Sequence, residues 1–223
     1  SLQFHSNMSY EDFVRGWRPM GDGKLSLVDG PFLELVKKAT ANPGDDFALV
    51  IEELNRGNPA QIFGELLTLI EANKRTDESA LRLTYPSSQD ELVFVPENIY
   101  VIGTMNMADK SLALMDFAFR RRFGFVTLEP QFNEAWSTWL SDLGLDRKVT
   151  SRIKAAVDQL NEAISNDPNL GPSYAIGHSF FTPNERVQNP NLWLNAVVDS
   201  EIEPALREYW FDDPASVLSL IHI

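Results

Sequence analysis

Two adjacent acids follow a continuous apolar run of the chain. Residues 47–51 (FALVI) lead directly into Glu52 and Glu53. Such a run is typical of a strand buried on both faces of a parallel sheet, and α/β sheets place their ligands at the carboxyl ends of their strands. There the first acid can hold Mg²⁺, usually through water, and the second can polarise an attacking water. A solvated strand end is the alternative interpretation of two acids alone.

A polar side chain follows a second apolar run. Ile99–Gly103 predicts another buried strand, and Thr104, Met105 and Asn106 come directly after it. An asparagine at that place can hold a water molecule or a phosphate oxygen through hydrogen bonds without carrying a charge. Taken alone, an asparagine after a strand is more often a turn residue.

Three consecutive arginines, Arg120, Arg121 and Arg122, end a short helix predicted over residues 112–119. Cations suit the C-terminal end of a helix dipole, but capping needs fewer than three of them. In a ring of subunits, such an arginine can reach the neighbour's nucleotide and stabilise charge on its γ-phosphate. For any one arginine, a cap with surface ion pairs is the alternative. The acid pair, the polar strand end and the arginines are all expected at one edge of the predicted sheet.

The elements that must position these residues divide the chain in two. Strands and helices alternate over residues 1–128, whereas residues 129–223 carry apolar side chains at helical spacing. The sequence therefore predicts an α/β domain over 1–128 and a small all-helical lid over 129–223. Pro204 is expected to kink or split the last helical stretch, residues 192–209.

Further elements of the α/β part are predicted from turn and cap residues. They are a strand near residues 2–4, a loop or hairpin within the first 30 residues, a helix over Pro31–Ala41, a helix capped by Asn58 with Pro59 at its first position, a hairpin from residues 81–85 and 92–95, and a third buried strand over residues 123–128.

Three segments resemble McrB-type AAA+ proteins, the NTP-hydrolysing subunits of modification-dependent restriction systems. Residues 50–58 (VIEELNRGN) resemble the Walker B segment, and residues 101–111 (VIGTMNMADKS) resemble the sensor 1 strand with the family's nucleotide motif. Residues 117–123 (FAFRRRF) resemble the segment that carries the arginine finger. The resemblance extends over nearly the whole chain. It implies an AAA+ P-loop NTPase core, formed by a parallel sheet with helices, and a helical lid.

Carried over residue by residue, the resemblance places Glu52 at the metal-associated position and Glu53 at the position of the catalytic base. Asn106 takes the sensor position, and Asp109 completes the nucleotide motif. Two residues depart from the family pattern, because Glu52 stands where aspartate is usual and Met107 where threonine is usual. The longer acid shifts its carboxylate and the methionine removes a hydroxyl, so both changes are expected to affect the efficiency of hydrolysis.

The resemblance also implies cofactors and partners. Arg121 and Arg122 are the candidate fingers that act on a neighbouring subunit, and Arg56 is a further candidate to reach across the subunit interface. The implied cofactors are Mg²⁺ and GTP or ATP, and the sequence does not decide between the two nucleotides. The implied partners are further copies of the chain in a hexameric ring, a McrC-like nuclease subunit, and DNA bound through a separate domain.

The phosphate-binding loop that this resemblance requires, G-x-x-x-x-G-K-[ST], does not occur in the sequence. Residues 21–26 (GDGKLS) contain glycine and lysine, but at the wrong spacing and without a buried strand before them. The resemblance places the true loop upstream of residue 1. We therefore expect this chain alone to bind nucleotide weakly and to hydrolyse almost none, because the backbone N–H cradle and its lysine are lacking.

The composition of the 223 residues narrows the other possibilities. Asp and Glu number 32 against 19 for Lys and Arg, and a net charge of −13 is unsuited to gripping a phosphate backbone over a broad face. The absence of cysteine excludes disulfides and cysteine metal sites. From the apolar run lengths and the N-terminal residues we expect no membrane segment, no signal peptide and a cytoplasmic location.

Two other classes of function stay open. The departures at Glu52 and Met107 are compatible with an AAA+-like assembly module that does not hydrolyse nucleotide. A metal-dependent nuclease that uses Glu52 and Glu53 is a weaker alternative, because no further carboxylate cluster lies nearby in the sequence. It would also leave Asn106 and the arginines without a function.

Overall fold

A computed structural model describes residues 1–21, 23–108 and 117–212. The chain forms two compact units, Ser1–Phe125 and Val126–Ile223. The first unit mixes strands and helices, and the described part of the second is helical, which confirms the predicted fold class. Within the described ranges, no helix is both long and apolar enough to cross a bilayer.

A parallel sheet lies at the centre of the first unit. Its strands β1, β4 and β5 pair in that order, with Leu2 opposite Ile51 and Ile51 opposite Gly103. β4 is the middle strand of the three, with Leu49 and Ile51 buried on one face and Ala48 and Glu52 exposed on the other. The expected burial of this strand on both faces is therefore wrong. The predicted strands near residues 2–4, 47–51 and 99–103 are confirmed to within one residue. The described strands are β1 (Leu2–Gln3), β2 (Arg15–Pro19), β3 (Leu25–Asp29), β4 (Phe47–Glu52) and β5 (Ile99–Gly103).

β2 and β3 form the antiparallel hairpin expected in the first 30 residues. At its tip the backbone N–H of Met20 donates to the carbonyl of Lys24 at 2.7 Å, and Gly23 has a φ of 77°. A left-handed backbone at that point favours glycine, because a Cβ would be strained there. The glycine and lysine of this segment are therefore part of a hairpin turn, as their spacing indicated.

Two helices of the first unit begin at side-chain caps, and the cap at Asn58 was predicted. The side chain of Asn58 accepts a hydrogen bond from the backbone N–H of Gln61 at 3.2 Å, and Pro59 is the first helical residue. Ser9 and Asp12 form a reciprocal capping box at another helix start. The described helices are α1 (Tyr10–Phe13), α2 (Pro31–Ala41), α3 (Pro59–Phe63), α4 (Leu66–Leu69) and α5 (Phe117–Arg120).

Phenylalanines connect these helices to the sheet. Phe13 lies at the centre, with ring centroids 5.4 Å from Phe4, 5.2 Å from Phe32 and 4.8 Å from Phe63. Phe63 in turn contacts Phe119 of α5 at 5.8 Å. All five rings are fully buried, and aromatic pairs at these distances stabilise a core beyond their buried area. This cluster fixes α3 and α5 beside the strands that carry the candidate site.

A buried ion cluster attaches the β2–β3 hairpin to the rest of the unit. The Arg15 side chain is 1% exposed, and its guanidinium donates to Asp29 at 2.5 Å, to both oxygens of Glu91 at 2.6 and 2.9 Å, and to the Tyr85 carbonyl at 3.1 Å. The hydrogen bond from Arg15 lowers the pKa of Glu91 to about 2. Burial opposes ionisation of Asp29, but Lys37 and Arg15 still hold its pKa below the usual range.

Replacing Arg15 with leucine is expected to destabilise the first unit by about 3 kcal/mol at pH 7, because two carboxylates lose their buried partner. The folded-state pKa of Glu91 is depressed, so its contribution is present above pH 4.5 or so and disappears as the pH falls toward 2. The difference between wild type and variant should therefore shrink at pH 3. Urea unfolding of wild type and variant at pH 7 and at pH 3 measures this difference in the free energy of unfolding.

Arg18→Leu is the matched control for this prediction, on the same strand. Arg18 pairs with Asp12, but its side chain is 44% exposed, and exposed pairs contribute under about 1 kcal/mol. Equal losses of stability in the two variants, or a difference that does not change between pH 7 and pH 3, would contradict the role assigned to the Arg15 cluster.

The hairpin predicted from residues 81–85 and 92–95 is wrong, because the two segments pair through only one isolated bridge in the described structure. Leu81 and Val93 form an isolated bridge, with hydrogen bonds of 2.9 and 2.8 Å, and no strand extends from it. The reason is competition from side chains, because Glu65 accepts the Thr84 N–H at 2.5 Å and Arg15 takes the Tyr85 carbonyl. These backbone groups are therefore not available to a partner strand.

The third buried strand, predicted over residues 123–128, is also wrong. The segment is irregular, and Val126 and Leu128 are 85% and 90% exposed. A strand needs a neighbour for its backbone groups, and none of the described strands lies alongside this one. Of the helix predicted over residues 112–119, residues 112–116 lie outside the described ranges, and Phe117–Phe119 belong to the described part of α5.

The second unit is built from capped amphipathic helices. Asn133, Asp146 and Asn189 each accept a hydrogen bond from the backbone N–H three residues on. Apolar side chains from all of these helices, together with Phe132, Ile176 and Phe181, form one buried cluster. The described helices are α6 (Glu134–Asp142), α7 (Arg147–Asn166), α8 (Pro190–Val197) and α9 (Glu203–Tyr209).

Pro204 interrupts the last helical stretch as predicted. A π-helical turn, Val198–Ile202, separates α8 from α9, and Pro204 is the second residue of α9. Proline has no N–H to donate four residues back, so the carbonyl of Ser200 loses its normal helical partner. A locally wider turn before the proline accommodates this loss without ending the helix.

Candidate functional site

The carboxyl ends of β4 and β5 are joined by backbone hydrogen bonds beyond the last residues of the two strands. Thr104 N–H donates to the Ile51 carbonyl at 2.9 Å, and Leu54 N–H donates to the Thr104 carbonyl at 2.9 Å. The Thr104 hydroxyl also accepts from the Glu53 N–H at 3.4 Å. The residues that follow the two strands are therefore held side by side.

Glu53 lies in the turn that leaves β4, and its backbone is left-handed, with φ 53° and ψ 46°. It is the one non-glycine residue with positive φ in the described ranges. Such a conformation costs about 1 kcal/mol or more and occurs often at functional sites, where the surrounding structure holds it. Here the turn directs the half-buried carboxylate toward Arg56, whose Nε donates to Glu53 Oε2 at 3.2 Å.

Glu52 is the last residue of β4 and has an exposed side chain. Its carbonyl accepts from Phe4 N–H at 2.9 Å, so its backbone is fixed in the sheet, while its carboxylate makes no hydrogen bond or ion pair in the described part of the chain. No group of three metal-binding side chains occurs among the described residues. A free carboxylate still fits Mg²⁺, which proteins hold through one or two carboxylates, waters and substrate phosphates rather than in a full protein cage.

Asn106 lies in the loop that follows β5 and is exposed. Its Oδ1 accepts the N–H of Ala108 at 3.0 Å, and its backbone carbonyl accepts Nδ2 of Asn55 at 3.1 Å. The amide nitrogen of Asn106 is left to donate outward. The structure thus brings Glu52, Glu53 and Asn106 to one edge of the sheet, with Arg56 beside them. Asp109, the remaining residue of the predicted motif, lies outside the described residues.

The three arginines at the end of α5 have different surroundings. Arg120 lies over the Phe125 ring, 5.6 Å from its centroid. Arg122 is 8% exposed, donates to the Ala118 carbonyl and pairs with Glu71 at 2.6 Å. Arg121 is exposed, and no described side chain pairs with it. No hydrogen bond or ion pair between described residues connects Arg121 or Arg122 to the turn that carries Glu53.

Comparison with known proteins agrees with this arrangement. Residues 1–123 match the family model of the AAA domain, dynein-related subfamily, and residues 152–217 match that of the McrB alpha-helical lid domain. The chain is 39% identical over 217 residues to the type IV methyl-directed restriction enzyme EcoKMcrB subunit of Escherichia coli (strain K12), covering 96% of this chain and 47% of that protein. The chain belongs to the McrB-type AAA+ family.

A second relative of this McrB-type chain is the type II restriction enzyme BsuMI component YdiS of Bacillus subtilis (strain 168). It is 30% identical over 213 residues, which cover 87% of this chain and 58% of that protein. The chain therefore spans about half the length of the curated relatives it matches. The α/β unit corresponds to the AAA domain and the helical unit to the McrB lid, so the fold expected from the resemblance is confirmed.

Sequence reasoning missed one residue of this McrB-type site. Asn55 was part of the Walker B resemblance but received no role, and in the structure it is 7% exposed and donates to the Asn106 backbone. A signal was present, because a polar residue two positions after Glu53, between Leu54 and Arg56, has no obvious place in a core.

Proposed function

We propose that this McrB-like chain hydrolyses GTP or ATP with Mg²⁺ as the motor part of a modification-dependent DNA restriction system. The observation that carries the proposal is the joining of the ends of β4 and β5, which places Glu53 and Asn106 in adjacent loops bridged by Thr104 and Asn55. An acid and an amide at neighbouring strand ends are suited to hold an attacking water against a terminal phosphate.

The residues in these loops have complementary roles in this proposal. Glu53 accepts a proton from the attacking water, and its left-handed backbone places it in the turn that leaves β4. Glu52 would hold Mg²⁺, which would supply charge neutralisation of the phosphates. The free Asn106 amide nitrogen donates to the water or to a γ-phosphate oxygen. Asp109 is proposed to bind nucleotide beside them.

Arg121 is our proposed finger, acting on the nucleotide of a neighbouring copy. The support is its exposure and lack of a partner in the described ranges, whereas Arg122 is buried against Glu71. An arginine committed to an ion pair within its own subunit would have to break that pair first. Arg56 is nearly half exposed and is a second candidate to cross the interface, although in this structure it pairs with Glu53.

The assembly we propose is a homo-oligomeric ring, a hexamer by the family resemblance, coupled to a McrC-like nuclease subunit in the cytoplasm. A finger that acts on a neighbour requires such a ring, because no subunit completes its own site. The net charge of −13 makes broad DNA contact by this chain unfavourable, so we assign DNA recognition to a separate domain.

A non-hydrolysing assembly module is the second candidate function. The observation in its favour is the Glu53–Arg56 ion pair, which neutralises the proposed base, together with Glu52 in place of aspartate. The metal-dependent nuclease gains no support from the described residues, in which no three metal-binding side chains are grouped.

Turnover of GTP and ATP by the full-length protein with Mg²⁺ tests the proposal. We expect hydrolysis that rises more than linearly with protein concentration, because sites form only between subunits, and almost no hydrolysis by residues 1–223 alone. Light scattering on the same samples reports the size of the assembly. Intact oligomers without turnover would favour the assembly module, and DNA cleavage by residues 1–223 with Mg²⁺ would favour the nuclease.

A further inference from the structure

We infer that Asn55 is a positioning residue that fixes the Asn106 amide relative to Glu53. This inference rests on the proposed function and adds a residue to which the comparisons assign no role. Asn55 lies in a short 3₁₀ helix of one turn, Leu54–Arg56, which directly follows Glu53. Its side chain leaves that turn and donates to the loop after the neighbouring strand.

The Asn55 side chain is the link that extends from one loop to the other beyond the strand ends. The bonds through Thr104 join the two strands only up to Leu54. One residue beyond Leu54 and two beyond Thr104, the bond from Asn55 Nδ2 to the Asn106 carbonyl at 3.1 Å continues the connection. The acid-bearing turn and the Asn106 loop therefore keep a fixed spacing where neither belongs to the sheet.

Two hydrogen bonds fix Asn106, one at its backbone carbonyl and one at its side-chain oxygen. The Asn106 carbonyl is held by Asn55, and its Oδ1 is held by the Ala108 N–H at 3.0 Å. Because the Ala108 N–H occupies the side-chain oxygen, the amide nitrogen of Asn106 is the side-chain atom left to donate. Loss of the Asn55 bond would release the backbone from which this amide extends, and misplacement of a catalytic group by about 1 Å can cost 100-fold in rate.

The side-chain oxygen of Asn55, Oδ1, is buried and lacks a hydrogen-bond partner in the described structure, which indicates that asparagine at this position does not serve to stabilise the fold. An unpaired buried acceptor is destabilising, so an asparagine is a poor choice for packing at this place. Its one satisfied bond goes to Asn106, and that bond is the contribution an apolar residue of similar size lacks.

Steady-state hydrolysis by the full-length protein, with binding of a non-hydrolysable nucleotide analogue, tests this role. We expect Asn55→Ala to lower kcat by about 10- to 100-fold while the Kd of the analogue changes by less than about threefold. Asn55→Asp has nearly the same shape but lacks the N–H donor, and should lose kcat to a similar extent. Combined with Asn106→Ala, Asn55→Ala should cause no further loss, because it acts through Asn106.

Asn98→Ala is the matched control. Asn98 Nδ2 also donates to backbone carbonyls, those of Ala39, Asn42 and Asp45, but beside the amino ends of the strands. It should lower the unfolding midpoint and leave kcat unchanged. The inference is overturned if Asn55→Ala behaves like Asn98→Ala, or if its loss multiplies with that of Asn106→Ala. Full turnover by Asn106→Ala would overturn both this inference and the role proposed for Asn106.

Discussion

Arg121→Ala in the full-length protein is expected to lower kcat for nucleotide hydrolysis by about a thousandfold, within the 10³–10⁵ range attributed to arginine fingers. The side chain is exposed, and no described residue pairs with it, so its removal should leave the unfolding midpoint unchanged. The loss arises because charge that develops on the γ-phosphate of the neighbouring subunit is no longer compensated. Turnover at saturating nucleotide and thermal unfolding measure the two effects separately.

A mixing experiment tests whether Arg121 acts on a neighbour. Subunits with Arg121→Ala retain Glu53, and subunits with Glu53→Gln retain Arg121, so mixed rings contain interfaces with both groups intact. We expect two nearly inactive preparations to regain measurable turnover when they are dissociated and reassembled together. A mixture as inactive as its components would show that Arg121 is needed within its own subunit or not in the site at all.

Arg122→Ala is the matched control for Arg121, one residue along the same helix end. Its guanidinium is buried against Glu71, so its removal should cost about 2 kcal/mol of stability. Any fall in turnover should follow the fraction of unfolded protein and should disappear at lower temperature. A folded Arg122→Ala variant with a larger loss of kcat than Arg121→Ala would reverse the assignment of the finger.

The elements that position the site could be predicted because their causes are local. An apolar run bounded by polar residues indicated β4, and Asn58 with Pro59 marked the start of α3. Such signals depend on the apolar side chains within one strand and on the backbone N–H groups at a helix start, which involve residues close together in sequence.

The wrong predictions concern segments whose structure depends on distant residues. Residues 81–95 alternate like a hairpin, but Glu65 and Arg15 take the hydrogen bonds that a strand pair would need. Residues 123–128 are as apolar as β4 but have no neighbouring strand in the described sheet. Periodicity in sequence records which side chains favour burial and carries no information about which backbone will lie beside them.

The same distinction applies to the candidate site. The proximity of Glu53 and Asn106 could be predicted from sequence, because each follows an apolar strand and parallel strands end at the same edge. The sequence could not distinguish Arg121 from Arg122, because only the position of Glu71 decides which of them is buried. The polar residue Asn55 could be noticed in the sequence, but its bond to Asn106 could not be predicted, because that bond depends on the exact spacing of the two loops.

Glu53→Gln is expected to lower kcat by about 10²–10⁴-fold, the usual contribution of a general base, with nucleotide affinity retained. Glutamine keeps the shape of the side chain and can still accept a hydrogen bond from Arg56, but it cannot take a proton from the attacking water. Burst and steady-state kinetics with GTP and ATP measure the rate of hydrolysis, and binding of a non-hydrolysable analogue measures the nucleotide affinity. Together they show which of the two the substitution lowers. A kcat within tenfold of wild type would exclude Glu53 as the base.

The left-handed backbone of Glu53 makes a second variant informative. Glycine adopts φ 53° without steric cost, so Glu53→Gly should be at least as stable as wild type, in spite of glycine's larger entropy loss on folding. It should be as inactive as Glu53→Gln. Such a pair of results would mean that the strained glutamate is retained for its carboxylate, at the expense of stability. Glu52→Gln serves as the control, because it alters the adjacent acid in ordinary strand geometry and should raise the Mg²⁺ requirement rather than abolish the proton transfer.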